Sequence, residues 1–155
     1  MIYNCGLEAG SSQGHKHMQL WPVPSASELG FDLFPGEAES TSKVTTLRGI
    51  PFQHFILRLP KEASIADVIA AHEAILPEVK RCHETHGSSA YNVVLTGEWL
   101  MLVPRCSNGG RWGAGGNTAV VLGLLWTNEA GEQDKWEEYG ISNHLARLGV
   151  PSSEI

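Results

Sequence analysis

The chain has 155 residues, of which 42% are hydrophobic and 18% are charged, a composition that suits one modest folded domain and excludes a disordered chain. Lys and Arg number 11 against 17 Asp and Glu, and the resulting net charge of −6 argues against non-specific binding to nucleic acid. The longest apolar run, Ala119–Trp126, is far shorter than the roughly 20 residues that a membrane-spanning helix needs.

The first part of the chain alternates short extended segments with turn-rich sequence. Ile2–Cys5 is predicted as a strand, and the glycine-containing residues 6–14 are predicted to form a turn after it. His15–Val23 is predicted to be extended and to end among prolines. Residues 24–45 mix Ser, Glu, Gly and Pro, which predicts a surface loop with a turn at residues 34–36.

A strand and a long helix are predicted next. Phe52–Leu59 alternates apolar and polar side chains as a half-buried strand does. Ser64 and Asp67 have the spacing of a capping box, with Asp where Glu is usual, and apolar residues then recur at helical spacing. The predicted helix runs to about His86, with a kink or a restart at Pro77.

A hairpin and a further strand are predicted in the following segment. Ala90–Leu95 and Trp99–Val103 are apolar runs joined by a three-residue turn. Residues 107–116 are rich in glycine and predict a flexible loop, although they lack the Lys of a phosphate-binding P-loop. Thr118–Trp126 is apolar and is predicted to be a buried strand.

The last segment of the chain is predicted to be helical, and the full order of elements then predicts the fold class. Glu132–Tyr139 and Ser142–Leu148 indicate one broken helix or two short ones. Strands and helices are interleaved irregularly, which favours an α+β fold with an antiparallel sheet. We therefore expect residues 1–155 to form a single domain with two loops, at 24–45 and 107–116.

The segment that follows the first strand concentrates chemically active side chains. On an extended backbone every second side chain points to the same side, so His15, His17 and Gln19 share one face. The preceding turn offers hydroxyls, an amide side chain and flexible backbone N–H groups, which can form an anion-binding concavity. Two imidazoles and an amide are thus expected to converge beside a candidate phosphate cradle.

Two imidazoles and an amide beside flexible backbone N–H groups suit the transfer of a nucleotidyl group. A neutral imidazole is nucleophilic near pH 7, because its ordinary pKa is about 6.5. It can attack a phosphorus in line, and the nucleotidyl-imidazole that forms is a good donor in the return step. Positioning and stabilisation of the charge on the phosphate oxygens supply the rest.

The motif resembles the signature of the diadenosine tetraphosphate phosphorylases, or ATP adenylyltransferases, of the histidine-triad superfamily. The residues that carry the resemblance are Asn4-Cys5-Gly6 and Gly10-Ser11-Ser12-Gln13-Gly14-His15-Lys16-His17-Met18-Gln19. Most of the remaining chain resembles the C-terminal half of that family, most clearly in Ile50–His54, Ser89–Thr96, Trp99–Arg105 and Leu148–Pro151.

The resemblance implies a role for each motif residue. His17 would be the nucleophile that carries AMP, His15 would support it, and Gln19 would hydrogen-bond the phosphate or the leaving oxygen. The remaining nucleotide contacts implied by the family are Asn4, Gly10, Ser11, Ser12, Gln13, Asn117, Thr118 and Ala119. Where the family has a Met and a Lys, this chain has Leu124 and Asn128, which removes a positive charge from the site.

The implied reaction is phosphorolysis of diadenosine tetraphosphate to ATP and ADP, or its reverse. The ligands would be small nucleotides and phosphate, with neither a nucleic acid nor a membrane as partner. No tightly bound cofactor and no protein metal site are expected, and Mg²⁺ would enter only with the nucleotide. The implied fold is a histidine-triad-like antiparallel sheet with flanking helices. It is expected to be incomplete, because family members are longer, so the alternative is a truncated, non-catalytic nucleotide-binding remnant or a fragment that needs an N-terminal half.

Simpler interpretations of the same residues remain open. His15 and His17 could bind a metal, but two further ligands would have to come from elsewhere. Cys5 could be a thiol nucleophile, and Asn117 could serve only in a turn. Arg105 and Arg111 could reach phosphates, but both are expected at the solvated surface. Core or loop positions without a base-stacking role are expected for Trp99, Trp112, Trp126 and Trp136.

The cysteines indicate the cellular compartment of the protein. The chain has 3 cysteines, Cys5, Cys82 and Cys106, and no two of them form a Cys-x-x-Cys pair. An odd number of widely spaced cysteines favours reduced thiols and a cytoplasmic protein, with the nucleus as the alternative.

Overall fold

A computed structural model describes residues 1–30 and 43–152, which form one antiparallel sheet with helices on both faces. The strands are β1 (Ile2–Cys5), β2 (Met18–Gln19), β3 (Phe55–Arg58), β4 (Tyr91–Leu95) and β5 (Trp99–Pro104), in the spatial order β2-β1-β4-β5-β3. The helices are α1 (Ala26–Leu29), α2 (Ile65–His86), α3 (Thr118–Val121), α4 (Ala130–Tyr139) and α5 (Ile141–Leu148). Two 3-10 turns lie at Leu7–Ala9 and Gly110–Trp112.

The predicted hairpin of β4 and β5 is the centre of the sheet. All six residues of β5 are buried, because both faces of this strand are covered. Leu100 and Leu102 contact one apolar cluster, which includes the buried face of α2. Met101 and Val103 point to the other face and belong to a second cluster, which includes Phe52 and the end of α3. The period-two alternation of the strand thus joins two cores through one sheet.

Helix α2 begins at the capping box that the sequence predicts. The Ser64 hydroxyl accepts a hydrogen bond from the Asp67 N–H, and the Asp67 carboxylate accepts one from the Ser64 N–H. The helix continues through Pro77 to His86, so the predicted restart is wrong. Pro77 and Glu73 both lie on the exposed side, where water can bind the carbonyl that Pro77 leaves unpaired, while the opposite side packs on the sheet.

The predicted strand at Thr118–Trp126 is wrong. Residues 118–121 form α3 instead, and residues 122–128 form turns and coil. The Asn117 side chain caps the helix by accepting a hydrogen bond from the Ala119 N–H at 2.8 Å. A short apolar run does not distinguish a strand from a buried helix, and here the cap and the packing of Val120 and Val121 decide for the helix.

Three other predictions need adjustment. Within the extended segment 15–23, only Met18–Gln19 pairs as a strand, and it lies at the edge of the sheet beside β1. The expected 24–45 loop contains the short helix α1, and Thr45 forms a bridge with Ile56 of β3. The predicted turn at residues 34–36 lies outside the described residues.

The glycine-rich loop and the last two helices form a third packed unit. Helices α4 and α5 are two separate elements, as one of the two predicted alternatives has it, and they meet at Gly140, which has a φ of 72°. His144 of α5 is fully buried between aromatic rings, and its Nε2 lies 2.8 Å from the Ala114 carbonyl oxygen. The loop predicted to be flexible is therefore anchored to α5 through Ala114.

Among residues 1–30 and 43–152, which the structure describes, no helix is both long enough and apolar enough to cross a membrane.

A buried histidine in this fold must be neutral. His54 is 2% exposed, and its Nε2 lies 2.8 Å from the Leu47 backbone nitrogen. Because that N–H can only donate, Nε2 accepts and Nδ1–H donates to the Phe52 carbonyl oxygen at 2.9 Å. Desolvation by burial lowers the pKa of His54, and the hydrogen bond to Phe52 only partly opposes this shift.

Stability should therefore decline in mildly acidic solution. Unfolded His54 takes up a proton as the pH falls through about 6.5, whereas folded His54 does so only at lower pH. Neutral His54 contributes fully to the free energy of unfolding when the pH is above the pKa of the unfolded state. As the pH falls, this contribution should decrease by about 1.4 kcal/mol for each unit by which the folded pKa lies below the unfolded one. Urea denaturation between neutral and acidic pH should show a smaller decline in His54→Gln than in the wild type. Equal declines would contradict the prediction.

Candidate functional site

The histidine motif begins with a tight turn at the end of β1. Gly6 has φ 96° and starts the 3-10 turn Leu7–Ala9, and Gly10 ends it at φ 83°. The N–H groups of Ala9 and Ser11 both donate to the Gly6 carbonyl oxygen, at 3.2 Å each. The chain thereby reverses between β1 and the segment that carries the histidines.

Gly10 is required where this turn touches the start of α3. A Cβ atom at residue 10 would lie 2.8 Å from the Cα and Cβ atoms of Asn117 and 3.0 Å from the Gly116 carbonyl oxygen. The positive φ at Gly10 is a second reason for glycine, because other L-residues are strained there. The motif turn and the glycine-rich loop are thus in direct backbone contact.

The side chain of Asn4 is held with its oxygen inward. Its Oδ1 lies 3.0 Å from the Thr118 backbone nitrogen, which can only donate, so the amide orientation is determined by the network. Thr118 Oγ1 and Asn92 Nδ2 also donate to Asn4 Oδ1, at 2.5 Å and 2.9 Å. Asn4 Nδ2 makes no hydrogen bond to any described residue, which leaves it as a donor for a ligand.

Beneath Asn4, a buried arginine organises the site. Arg105 is fully buried, and the expectation that it lies at the solvated surface is wrong. Its Nη1 donates to Asn92 Oδ1 at 2.5 Å, and Asn92 Nδ2 donates onward to the Ala9 carbonyl oxygen at 2.8 Å. Other guanidinium N–H groups donate to the carbonyl oxygens of Leu148, Ser107 and Gly116, at 3.1, 2.9 and 2.8 Å. One side chain therefore holds together the motif turn, β4, the glycine-rich loop and α5.

The guanidinium of Arg105 has no carboxylate within ion-pair distance among the described residues. Burial lowers the pKa of Arg105 to about 10, and the group therefore remains positively charged at neutral pH. Carbonyl dipoles rather than an anion stabilise this charge. The resulting positive potential lies directly beneath the motif.

A cavity of about 500 Å³ lies over the motif turn. Its wall is formed by Tyr3, Asn4, Gly6, Leu7, Ser11, Ser12, Gln13, Gly14, His15 and Lys16. The backbone N–H groups of Ser12, Gln13 and Gly14 make no hydrogen bond to a described residue. Free N–H groups, the Lys16 cation and the Asn4 amide are the equipment of a phosphate-binding cavity.

The two motif histidines lie beside one another, and the ring of His15 faces this cavity. Their ring centroids are 5.9 Å apart with the rings near perpendicular, and both side chains are exposed. His15 lines the cavity, whereas His17 and Gln19 continue onto the exposed strand segment beyond it. No described residue hydrogen-bonds His17. Its ring nitrogens are therefore open to an incoming phosphorus.

A second cavity, of about 410 Å³, also adjoins the motif turn, through Gly10. It is lined by Gly10, Asn108, Gly110, Gly115, Gly116, Asn117, Val120, Trp126, Asn128 and Glu132. Of the three predicted nucleotide contacts at the start of α3, only Asn117 lines it. Thr118 is fully buried against Asn4, and Ala119 is half-buried. Asn128, which the sequence analysis aligned with a family Lys, lies in the wall, and Leu124 is half-buried but does not line the cavity.

Asn92 and Arg105 were missed by the sequence analysis as parts of the site. A polar Asn92 among the apolar residues of β4 was the available signal, because a buried amide needs partners. No group of three or more His, Cys, Asp or Glu in residues 1–30 and 43–152 is arranged to hold a metal ion. The chemistry that this arrangement supports is nucleophilic, with an exposed imidazole beside anion-binding amides.

The contact between Gly10 and Asn117 can be tested by adding a single methyl group. Gly10→Ala is expected to lower the free energy of unfolding by about 2–4 kcal/mol, since backbone strain and overpacking act together. Gly87→Ala is the matched control, because Gly87 also has a positive φ of 65° but has no atom within 4 Å of the added Cβ. The control should lose only about 1–2 kcal/mol. Equal losses in urea denaturation would show that the contact is not tight.

Two family patterns match the sequence of this chain. The ATP adenylyltransferase C-terminal domain matches residues 48–151, and the Ap4A phosphorylase N-terminal domain matches residues 1–33. Diadenosine tetraphosphate phosphorylase 2 of Saccharomyces cerevisiae is 27% identical over 125 residues, and Protein APA1 of the same organism is 27% identical over 133 residues. Each match covers 68% of this chain and 37% of the relative, so the chain spans little more than a third of these relatives' length.

Solved structures share the fold. Yeast Ap4A phosphorylase Apa2 matches 99% of this chain with a TM-score of 0.72 and 25% identity, and the match covers 56% of the Apa2 chain. Apa2 in complex with Ap4A matches 97% of this chain at a TM-score of 0.65 and 25% identity, over 54% of its own length. Apa2 in complex with AMP gives a TM-score of 0.71 at 23% identity, over 98% of this chain and 56% of that one. The expected antiparallel sheet with flanking helices of histidine-triad type is confirmed.

Proposed function

Because the chain belongs to the ATP adenylyltransferase family, we propose that it transfers AMP from diadenosine tetraphosphate to phosphate, by way of a covalent intermediate on His17. The resemblance of the histidine motif predicts the same family. The observation that supports the proposal most directly is the first cavity, which combines free backbone N–H groups with His15, whose ring centroid lies 5.9 Å from that of the exposed His17.

The first step would be attack on phosphorus. A ring nitrogen of His17 attacks the phosphorus of one terminal AMP unit, a P–N bond forms, and the P–O bond to the next phosphate breaks. ATP leaves with the electron pair of that bond. The N–H groups of Ser12 to Gly14 would hold the phosphate oxygens, and Gln19 would donate to the phosphate or to the leaving oxygen.

The return step uses inorganic phosphate as the acceptor. A phosphate oxygen attacks the same phosphorus, the P–N bond breaks, and ADP and free His17 are formed. The net reaction is diadenosine tetraphosphate plus phosphate giving ATP plus ADP, and the reverse reaction uses the same groups. Mg²⁺ would enter with the polyphosphate and neutralise part of its charge.

Other residues would position the nucleotide. Asn4 Nδ2 would donate to it, because the oxygen of that amide is already bonded to Asn92 and Thr118. His15 would support His17 from 5.9 Å away, measured between ring centroids. The motif contacts to the polyphosphate would come from Gly10, Ser11, Ser12 and Gln13, and further nucleotide contacts from Asn117, Thr118 and Ala119. For Thr118 such a contact would compete with Asn4, which binds both its N–H and its hydroxyl.

The thiols support a reducing compartment for this reaction. Cys5, Cys82 and Cys106 are all free in the structure. We propose the cytoplasm as the site of action.

A second candidate function is nucleotide binding without turnover. The observation that favours it is the exposure of His17 and Gln19, and the family resemblance implies a Lys where this chain has Asn128. An exposed nucleophile without that cation would bind polyphosphate but stabilise the charge of the transition state poorly.

Product analysis separates the two functions. The folded chain is incubated with diadenosine tetraphosphate, with and without phosphate, and the nucleotides are separated by chromatography. Equal amounts of ATP and ADP that appear only with phosphate would support the proposed transfer. Binding by calorimetry without product formation would support the second candidate. ATP with AMP in place of ADP would indicate hydrolysis and contradict the proposed phosphate acceptor.

A further inference from the structure

We propose that the second cavity binds a purine base, which stacks on Trp126. This inference rests on the proposed function and adds a binding role that the sequence analysis did not give to this residue. Trp126 is 82% exposed, although tryptophan is normally among the more buried side chains. By contrast, Trp99 and Trp136 are only 8% and 1% exposed. An indole that faces solvent at the wall of a cavity is available to a planar ligand.

The cavity has the size and the floor that a base needs. Its volume of about 410 Å³ falls within the range usual for small-molecule sites. Glycines provide the space, and Val120 supplies an apolar surface beneath it. A Cβ atom at Gly116 would lie 2.9 Å from a methyl carbon of Val120, so a larger residue at position 116 would displace this floor.

Polar groups around the wall suit the edge of a base. Asn108 Oδ1 accepts a hydrogen bond from the Gly110 N–H at 3.0 Å, which leaves Asn108 Nδ2 to donate elsewhere. Asn117 is similar, because its Oδ1 caps α3. Amide donors of this kind can bind the ring nitrogens of a purine.

Glu132 connects the two sides of this wall. Its Oε1 accepts a hydrogen bond from the Gly115 N–H at 3.2 Å, and its Oε2 accepts one from the Asn128 N–H at 3.0 Å. The carboxylate thereby joins the glycine-rich loop to the segment that carries Trp126. One side chain therefore links the two sides of the cavity through hydrogen bonds.

The charged residues that line the two cavities favour different classes of ligand. The first cavity has Lys16 and free N–H groups, which favour phosphate. The described lining of the second contains Glu132 and neither Lys nor Arg, which disfavours phosphate and favours a neutral base. Leu7 and Ser11 line the first cavity, and Gly10 between them lines the second. Both cavities therefore adjoin the motif turn, and a nucleotide bound there would place its phosphates in the first and a base in the second.

Adenosine, which has no phosphate, is the probe for this site. Calorimetric titration of the full chain is expected to show adenosine binding that is about tenfold or more weaker in Trp126→Ala, because base stacking is lost. Trp126→Phe should recover most of the affinity. Leu125→Ala is the matched control, since Leu125 is also exposed, at 40%, adjoins Trp126 and does not line the cavity. Circular dichroism verifies that each variant is folded.

The outcomes separate this inference from the proposed function. Adenosine binding that depends on Trp126 supports the site even if the chain turns over no diadenosine tetraphosphate. Failure of the wild type to bind adenosine would overturn the inference, as would equal affinity in Trp126→Ala. Cytidine is the second ligand, and it should bind more weakly than adenosine if a purine is preferred. A loss of adenosine binding in Leu125→Ala as large as in Trp126→Ala would also overturn it.

Discussion

The His17→Asn protein is expected to form no AMP adduct when it is incubated with diadenosine tetraphosphate in the absence of phosphate. The wild type should accumulate the adduct under these conditions, because the second step lacks its acceptor. Turnover with phosphate present should fall on the order of 10³-fold or more in the variant, as is usual when a nucleophile is removed. Intact-mass spectrometry detects the adduct directly.

The variant should fold normally. His17 is exposed and has no hydrogen bond to a described residue, so the free energy of unfolding should change by no more than about 0.5 kcal/mol. His15→Asn is the matched control, since that ring lines the cavity but is assigned a supporting role. It should still form the adduct, at a lower rate. An adduct that persists in His17→Asn would assign the nucleophile to another residue, with Cys5 the first to examine.

Arg105→Met should be the most destabilising of the substitutions considered. It removes the guanidinium from carbonyl oxygens of Leu148, Ser107 and Gly116 and from Asn92 Oδ1. Buried acceptors left without donors cost about 1–3 kcal/mol each before the structure relaxes. We expect the free energy of unfolding to fall by about 3–5 kcal/mol, measured by urea denaturation.

Arg105→Lys shows whether the forked guanidinium or only its positive charge matters, and a second variant serves as the control. Arg105→Lys keeps the charge but cannot reach all of these acceptors, so it should lose stability and also weaken nucleotide binding through Asn92 and Asn4. Arg111→Met is the control, because Arg111 is exposed in the glycine-rich loop with its guanidinium carbon 4.2 Å from the Trp112 ring centroid. That change should cost no more than about 1 kcal/mol. A loss in Arg105→Met as small as in the control would contradict the central role of Arg105.

Local sequence signals predicted the parts of the fold that local interactions decide. The capping box of α2, the hairpin of β4 and β5, and the break at Gly140 each depend on residues close together in the chain. The predicted strand over residues 118–126 was wrong because its apolar run fits either element. The choice is made by the Asn117 cap and by packing against segments remote in sequence.

The motif residues of the candidate site could be predicted from the sequence, but the buried residues that hold them in place could not. Pattern and resemblance indicated His15, His17 and the turn before them, and the structure places that turn and His15 around one cavity. The catalytic roles of His17 and Gln19 stay predictions. Arg105 was expected at the surface because its acceptors come from separate parts of the chain. Likewise, nothing near Trp126 in sequence indicates that it faces a cavity.

The hydrogen bonds that support the site also determine when it can form during folding. Asn4 and Thr118 are 114 positions apart, and Arg105 and Leu148 are 43 apart. Contacts of such separation require several loops to close first, and that entropy is lost before any of these bonds forms. The hairpin of β4 and β5 and helix α2 need no such closure. In refolding experiments, nucleotide binding should therefore return later than secondary structure, and in native-state hydrogen exchange the amide of Thr118 should open more readily than those of β5.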